Sequence, residues 1–253
     1  MSDMTGKVAV VVGCSGSRGT GWAVAKALAG AGAKVVVAAR RLDKLEQLAA
    51  EIGGTAVACD VSNEEQVAEV AATALRTYGK LDVAVNAAAL VDMSTVSGAT
   101  RAQLQAAMDV NYFGNVVFVQ RMAEAIGSDG SIIIFSSLAS TMYQSGYFAY
   151  GASKAAADYL VRHAAVEYGD RGIRVNSILP GPILSDVTAE MLSQESIVNV
   201  IKREIPLNRI GFPQDFADAV LWLAGPSFVT GLNIPVCGGL QLNRLPRPDD
   251  FQR

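Results

Sequence analysis

Six short apolar runs recur along this chain, and nearly every stretch between them is amphipathic. Lys7 to Val12, Lys34 to Ala38, Thr55 to Ala58, Asp82 to Val85, Ser131 to Phe135 and Arg174 to Ile178 read as strands. Helical patterns follow near Trp22 to Ala31, Leu42 to Glu51, Glu64 to Tyr78, Arg101 to Ala125 and Gly151 to Tyr168. A strand that faces water on one side alternates apolar and polar residues; these do not alternate. They must be covered on both faces, and a parallel sheet between two layers of helices does that. The expected fold is therefore α/β, a Rossmann-type doubly wound parallel sheet in three layers. With 253 residues, about half of them hydrophobic, one domain spanning 1–253 is expected. The pattern breaks at about 183–209, which reads as a helical lid. A tail from about 244 to 253 carries two prolines and paired aspartates and reads as extended.

Bulk charge and cysteine usage exclude several classes. A net charge of −3 gives no basic footprint for nucleic acid. Cys14, Cys59 and Cys237 are too few and too scattered for a disulfide framework or a metal cluster. The first residues lack a charged segment leading into a long apolar run, so no signal peptide is expected, and no apolar run reaches the roughly 18 residues of a spanning helix. A cytoplasmic protein without a membrane or metal requirement is expected.

The first strand runs into Gly13-Cys14-Ser15-Gly16-Ser17-Arg18-Gly19-Thr20-Gly21, where a helix opens. Glycines let backbone approach a diphosphate whose charge sits at the helix N-terminus. An acidic residue after the second strand would accept the ribose hydroxyls of NAD. This chain has Arg40 and Arg41 there, with Arg18 nearby, which suits a 2′-phosphate and predicts NADP(H). The plainer alternative is a solvated helix start. Asp60 and Val61 after the third strand could hold the adenine, and Asn86 after the fourth could support the phosphate turn. Each could equally be a loop cap.

Tyr150 and Lys154 lie one helical turn apart, and Ser137 stands thirteen residues before the tyrosine, just after Ile132 to Phe135. A phenol, an ammonium and a hydroxyl that converge form a proton-transfer device for a carbonyl or alcohol. The ammonium is expected to favour the phenolate and so acidify the phenol.

These residues resemble the short-chain dehydrogenase/reductase family from about Lys7 to Gly239. Ser137, Tyr150-x-x-x-Lys154, Asn111 in Asn111-Tyr112-Phe113-Gly114, Gly172-Ile173-Arg174-Val175-Asn176, Pro180-Gly181-Pro182-Ile183 and Thr230-Gly231 carry the resemblance. It implies a seven-stranded sheet and a homo-oligomer, tetramer ahead of dimer, paired through two long helices. It also implies roles: Tyr150 as acid/base, Lys154 lowering its pKa and holding the nicotinamide ribose, Ser137 on the substrate oxygen, and Asn111 anchoring a water chain to the lysine. Pro180, Ile183 and Ser185 would position the carboxamide.

The chain departs from the pattern in three places. Five residues separate Gly13 from Gly19, two more than is usual in the carbonyl-reducing branch. Asn86-Ala87-Ala88-Ala89 replaces Asn-Asn-Ala-Gly, and Cys237-Gly238-Gly239 replaces Asp-Gly-Gly. The longer loop is shared with the enoyl-thioester reductases, whose tyrosine lies seven residues before the lysine, where this chain has Tyr147. Three readings follow. The leading one is an NADP(H)-dependent ketone/secondary-alcohol oxidoreductase acting through Tyr150. The rivals are an enoyl-thioester reductase acting through Tyr147 and a non-catalytic NADP(H)-binding sensor. Expected pocket walls are Met93, Leu138, Met142, Tyr143, Tyr147, Pro182, Leu184, Val187, Met191 and Leu192, a set suited to an aryl, alicyclic or steroid-like substrate; half of them could simply cover the core. His163, the single histidine, reads as a helix-surface residue, and Cys14 as a small filler.

Overall fold

A computed structural model describes residues 2–186 and 188–252, apart from the side chains of Met191 and Gln252. Val187 and the Met191 side chain, two of the expected pocket walls, thus lie outside the described residues. Seven strands form one parallel sheet in the order β3-β2-β1-β4-β5-β6-β7. They are β1 (Val8–Val12), β2 (Lys34–Ala39), β3 (Thr55–Ala58), β4 (Val83–Asn86), β5 (Ser131–Phe135), β6 (Arg174–Pro180) and β7 (Asn233–Val236). The six strands expected from apolar runs are all present; the seventh is the one the family resemblance added.

The β1 sequence shows why these runs do not alternate. Val8, Val10 and Val12 enter a core on one face of the sheet, and Ala9 and Val11 enter a second core on the other. Successive side chains point oppositely, so a strand buried on both sides must be apolar throughout. The second core packs under α1 (Thr20–Gly30), α2 (Leu42–Ile52) and α8 (Pro213–Ala224); the first packs under α3 (Glu64–Tyr78), α5 (Gly114–Ile126) and α6 (Phe148–Glu167). The α8 helix was not read from sequence. Its Pro213 at the helix start and Arg209–Asp215 ion pair mark its N-terminus.

The single helix expected over Arg101 to Ala125 is two, α4 (Arg101–Met108) and α5, joined by a π-helical turn at Asp109–Phe113. Such turns insert one residue into a helix and gather at functional sites. This one buries Asn111 completely.

The stretch expected to form a lid contains a 3-10 turn at Met191–Ser193 and α7 (Glu195–Glu204). Its Leu192, Ile201 and Ile205 pack with Leu138, Leu179, Ile210, Leu240 and Leu245 in a third cluster at the C-terminal end of the sheet. The tail is partly folded: Pro248–Gln252 is a 3-10 helix, Arg244 pairs with Asp250, and Leu245 is buried. Among the described residues, no helix is long and apolar enough to cross a membrane.

Candidate active site

The sheet order reverses direction between β1 and β4, so the loops at their C-terminal ends splay apart and leave a crevice. The glycine turn forms one wall. Gly13 has φ +91°, and a Cβ there would lie 2.5 Å from the Ala88 nitrogen. A Cβ on Gly21 would run into the Gly13 carbonyl. Gly19 caps α1 with no side-chain bond, and the first turn holds no acidic residue. The exposed backbone and uncancelled helix N-terminus fit a diphosphate.

The arginines differ in their engagements. Arg41 donates to the Ser15 carbonyl at 2.8 Å and lies 3.2 Å from the Ser15 hydroxyl. Arg40 is exposed; the Ser62 hydroxyl and N–H hold the Asp60 carboxyl below its ordinary range, and Arg40 adds to them. Arg18 is already paired: its Nε donates to Asp186 Oδ1 at 2.8 Å, and its backbone N–H to Oδ2 at 3.1 Å. That contact ties the glycine turn to the loop after β6. Asp60 accepts from the Ser62 N–H and hydroxyl at 3.0 and 2.7 Å, the loop-cap geometry, while Val61 is buried.

Behind the crevice runs a buried amide network. Asn86 Nδ2 donates to Asn115 Oδ1 at 2.9 Å, and Asn115 Nδ2 to the Asn111 carbonyl at 2.7 Å. Asn111 Nδ2 donates to Ser153 Oγ at 3.0 Å, and that hydroxyl to the Tyr150 carbonyl at 2.7 Å. Asn111 also exchanges two bonds with the Leu90 backbone. The network fastens the end of β4 to the helix bearing Tyr150.

Ser137, Tyr150 and Lys154 do converge. β5 ends at Phe135, which sets Ser137 at the C-terminal end of the sheet; its hydroxyl accepts from the Ala139 N–H at 3.1 Å and lies close enough to the Tyr150 phenol to favour its ionised form. Ser136 points away and donates to the Lys154 carbonyl at 3.4 Å, a structural role. Lys154 is fully buried; its Nζ donates to the Phe135 carbonyl at 2.7 Å and lies 5.7 Å from the centroid of the Tyr150 ring. One expectation is corrected. The ammonium was expected to acidify Tyr150, yet burial raises that phenol above its ordinary value, Ser137 opposes the rise, and Tyr147 adds to it. The amine is turned to the carbonyl instead, and burial lowers it to about 8.

At the mouth, Met93, Tyr143 and Leu184 are 66%, 75% and 38% exposed. Tyr147 meets Tyr150 edge to face at 6.0 Å between ring centroids. Ser94 pairs with Tyr147 and so brings the segment after β4 against the start of α6. Leu138 belongs to the buried lid cluster, not to an open wall. Ile183 pairs with Gly211, and Ser185 N–H donates to Thr188 Oγ1 at 3.0 Å. His163 is an exposed helix-surface residue beside Tyr159, and burial pushes the Cys14 thiol up to about 12, an inert filler. No group of three or more potential metal ligands occurs among the described residues.

Sequence reasoning missed Asn115, Ser140, Asp158 and Asp186. Asp158 was within reach, since it continues the four-residue spacing of Tyr150 and Lys154. Asp186 had no local signal, because its partner lies 168 residues away.

Comparison with known proteins places these features. A family model described as "Enoyl-(Acyl carrier protein) reductase" matches residues 13–241. The 7alpha-hydroxysteroid dehydrogenase of Escherichia coli (strain K12) is 34% identical over 250 residues, covering 93% of this chain and 94% of the relative. Carbonyl reductase family member 4 of Danio rerio is 32% identical over 240 residues, covering 93% and 98%. The structure of a short-chain type dehydrogenase/reductase from Mycobacterium ulcerans superposes with a TM-score of 0.92 at 28% identity, covering 99% of this chain and 98% of that one.

Proposed function

The chain belongs to the short-chain dehydrogenase/reductase family, and on that premise we propose that it interconverts a ketone and a secondary alcohol on a bulky apolar substrate, with NADP(H) as cofactor. The observation that carries this reading is the convergence of the Ser137 hydroxyl and the Tyr150 phenol beside a buried Lys154.

Gly13, Ser15, Gly19, Thr20 and Gly21 would receive the diphosphate. Arg40 and Arg41 would take the 2′-phosphate, joined by Arg18 once it leaves Asp186. Asp60 and Val61 would lie along the adenine, with Asn86 bracing the turn. Pro180, Ile183 and Ser185 would hold the carboxamide, and Tyr150 and Lys154 the ribose. When bound, the nicotinamide supplies or accepts the hydride.

In the reductive direction Tyr150 Oη gives its proton to the carbonyl oxygen. Ser137 Oγ hydrogen-bonds the same oxygen as negative charge builds on it. A phenol that burial keeps protonated suits the role of acid. The charge left on Tyr150 Oη would be met by the Ser137 hydroxyl, with the Lys154 ammonium 5.7 Å from the centroid of the ring. In the oxidative direction the same oxygen takes the proton back. Asn111 serves by fixing the backbone around Tyr150 through Ser153. The apolar side chains at the mouth suit the kind of substrate named for the Escherichia coli relative, a hydroxysteroid.

A second reading, enoyl-thioester reduction through Tyr147, is favoured by the longer glycine turn and by the description of the matching family. NADPH consumption, followed at 340 nm against steroid, aryl and alicyclic ketones and enoyl thioesters, with NADH beside it, separates the two. Turnover of ketones with NADPH is expected. Turnover of enoyl thioesters alone would move the assignment to the second reading, and cofactor binding without any turnover would leave a sensor. We further infer that the protein works as a homo-oligomer, tetramer ahead of dimer, in the cytoplasm.

A further inference from the structure

We propose that Asp158 is a positioning residue of this reaction, a buried countercharge that keeps Lys154 an ammonium and braces the turn that carries Ser137. The inference rests on the reading of Ser137, Tyr150 and Lys154 given above. The α6 helix places Tyr150, Lys154 and Asp158 at successive four-residue steps, which puts them on one face. All three are buried. A carboxylate in such a place is costly unless donors and a cation compensate it.

Burial raises the Asp158 carboxyl above its ordinary value, and nearby hydroxyls and the Lys154 cation oppose that rise. The Ser140 hydroxyl lies 2.5 Å from its Oδ2, and the Ser177 hydroxyl, whose hydrogen goes to Asn233 Oδ1, lies 3.4 Å from its Oδ1. Ser136, whose hydroxyl donates to the Lys154 carbonyl at 3.4 Å, lies beside the carboxylate, and Lys154 is the cation acting on it. The same Ser140 hydroxyl lies 2.7 Å from the Ser137 carbonyl. Ser140, with one hydrogen to share, thus sits between the Asp158 carboxylate and the Ser137 backbone. From the far side, Asn233 Nδ2 donates to the Asp158 carbonyl at 3.3 Å, and Asn233 Oδ1 accepts from Ser177 at 2.7 Å. These contacts knit the Ser137 turn, α6, β6 and β7 together around the carboxylate.

Asp158 is also the charge Lys154 needs. The amine makes no direct ion pair with it and is bonded to a neutral carbonyl. The amine meets the Phe135 carbonyl at the end of β5 and the Tyr150 ring on α6, while Ser140 from the turn after β5 and Ser177 from β6 lie against the Asp158 carboxylate. Asp158 is the one charged side chain acting on the amine among the described residues. Burial lowers Lys154 to about 8, and Asp158 works against that fall. Without Asp158, the lysine would lose its proton at lower pH.

The test is the pH dependence of kcat/KM for NADPH-driven ketone reduction in the wild type, Asp158→Asn and Asp158→Glu, with circular dichroism checking the fold and Tyr150→Phe run in parallel. The alkaline limb is expected to move toward lower pH by about half a unit or more in Asp158→Asn and to return in Asp158→Glu. A limb that stays at the wild-type position in Asp158→Asn, even with activity lowered equally at every pH, overturns the proposal and leaves Asp158 merely structural. Turnover that survives in Tyr150→Phe overturns instead the reading of the reaction on which it rests. Should Asp158→Asn fail to fold, aspartate-selective 13Cγ labelling of the wild type decides. One carboxylate signal must respond near pH 8 as Lys154 deprotonates, and the absence of any such response overturns the countercharge.

Discussion

Lys154→Met should cost this protein its activity and change its stability in a way that reports directly on the buried amine. An ammonium that titrates at about 8 in the folded chain, against an ordinary 10.5, is destabilised by burial by on the order of 3 kcal/mol. Methionine is of similar length, carries no charge and removes that cost. Two losses oppose the gain. The Phe135 carbonyl loses a charged donor, a loss of about 1.5–3 kcal/mol, and Asp158 loses its cation. The net change at pH 7 is therefore small, roughly 1 kcal/mol in either direction. Its pH dependence is not small. Below pH 8 the lysine is charged in both folded and unfolded chains, and the whole burial cost is present. Between about 8 and 10.5 the folded protein binds fewer protons than the unfolded one, so wild-type stability rises with pH. Above 10.5 both forms are neutral and the cost is gone. Urea unfolding of both proteins from pH 7 to 10.5 should show the wild type gaining about 3 kcal/mol on Lys154→Met across that window, since all other titrations cancel between them. A stability difference that stays flat with pH would refute the claim that the amine is buried and charged.

Other outcomes follow from the cofactor crevice. Arg41→Ala should weaken NADPH binding by about tenfold while changing NADH binding less than threefold, as read by titration of tryptophan fluorescence. Asp186→Asn releases Arg18 from its partner and should tighten NADPH by roughly two- to fivefold, the modest scale expected for an exposed ion pair; equal or weaker binding would contradict a competition between Asp186 and the 2′-phosphate. Gly21→Ala drives a methyl into the Gly13 carbonyl and should lower stability by about 1–3 kcal/mol and abolish nucleotide binding, checked by thermal melts with and without NADPH.

The layers of this fold were legible because a doubly buried strand leaves its mark in consecutive residues. The Val8 to Val12 run needed no neighbour to be recognised. β7 was harder. Its Asn233-Ile234-Pro235-Val236 holds a proline and is only half-buried, as an edge strand permits, so its composition alone does not reveal it. The π-helical turn at Asp109–Phe113 was invisible because one inserted residue barely disturbs helical periodicity. In the site, Ser137, Tyr150 and Lys154 were legible as a spacing, but their electrostatics were not. Whether an ammonium acidifies a phenol depends on where the amine points, and here the Phe135 carbonyl holds it. Arg18 shows the same limit: its charge was plain, and its partner 168 residues away was not.

The most direct measurement compares Tyr150→Phe with Tyr147→Phe for NADPH-dependent turnover of an apolar ketone, alongside the Kd of each variant for NADPH. The account predicts that Tyr150→Phe loses about a hundredfold or more of kcat while still binding NADPH, and that Tyr147→Phe keeps most of its kcat and changes mainly KM. Retained turnover in Tyr150→Phe with loss in Tyr147→Phe would contradict it.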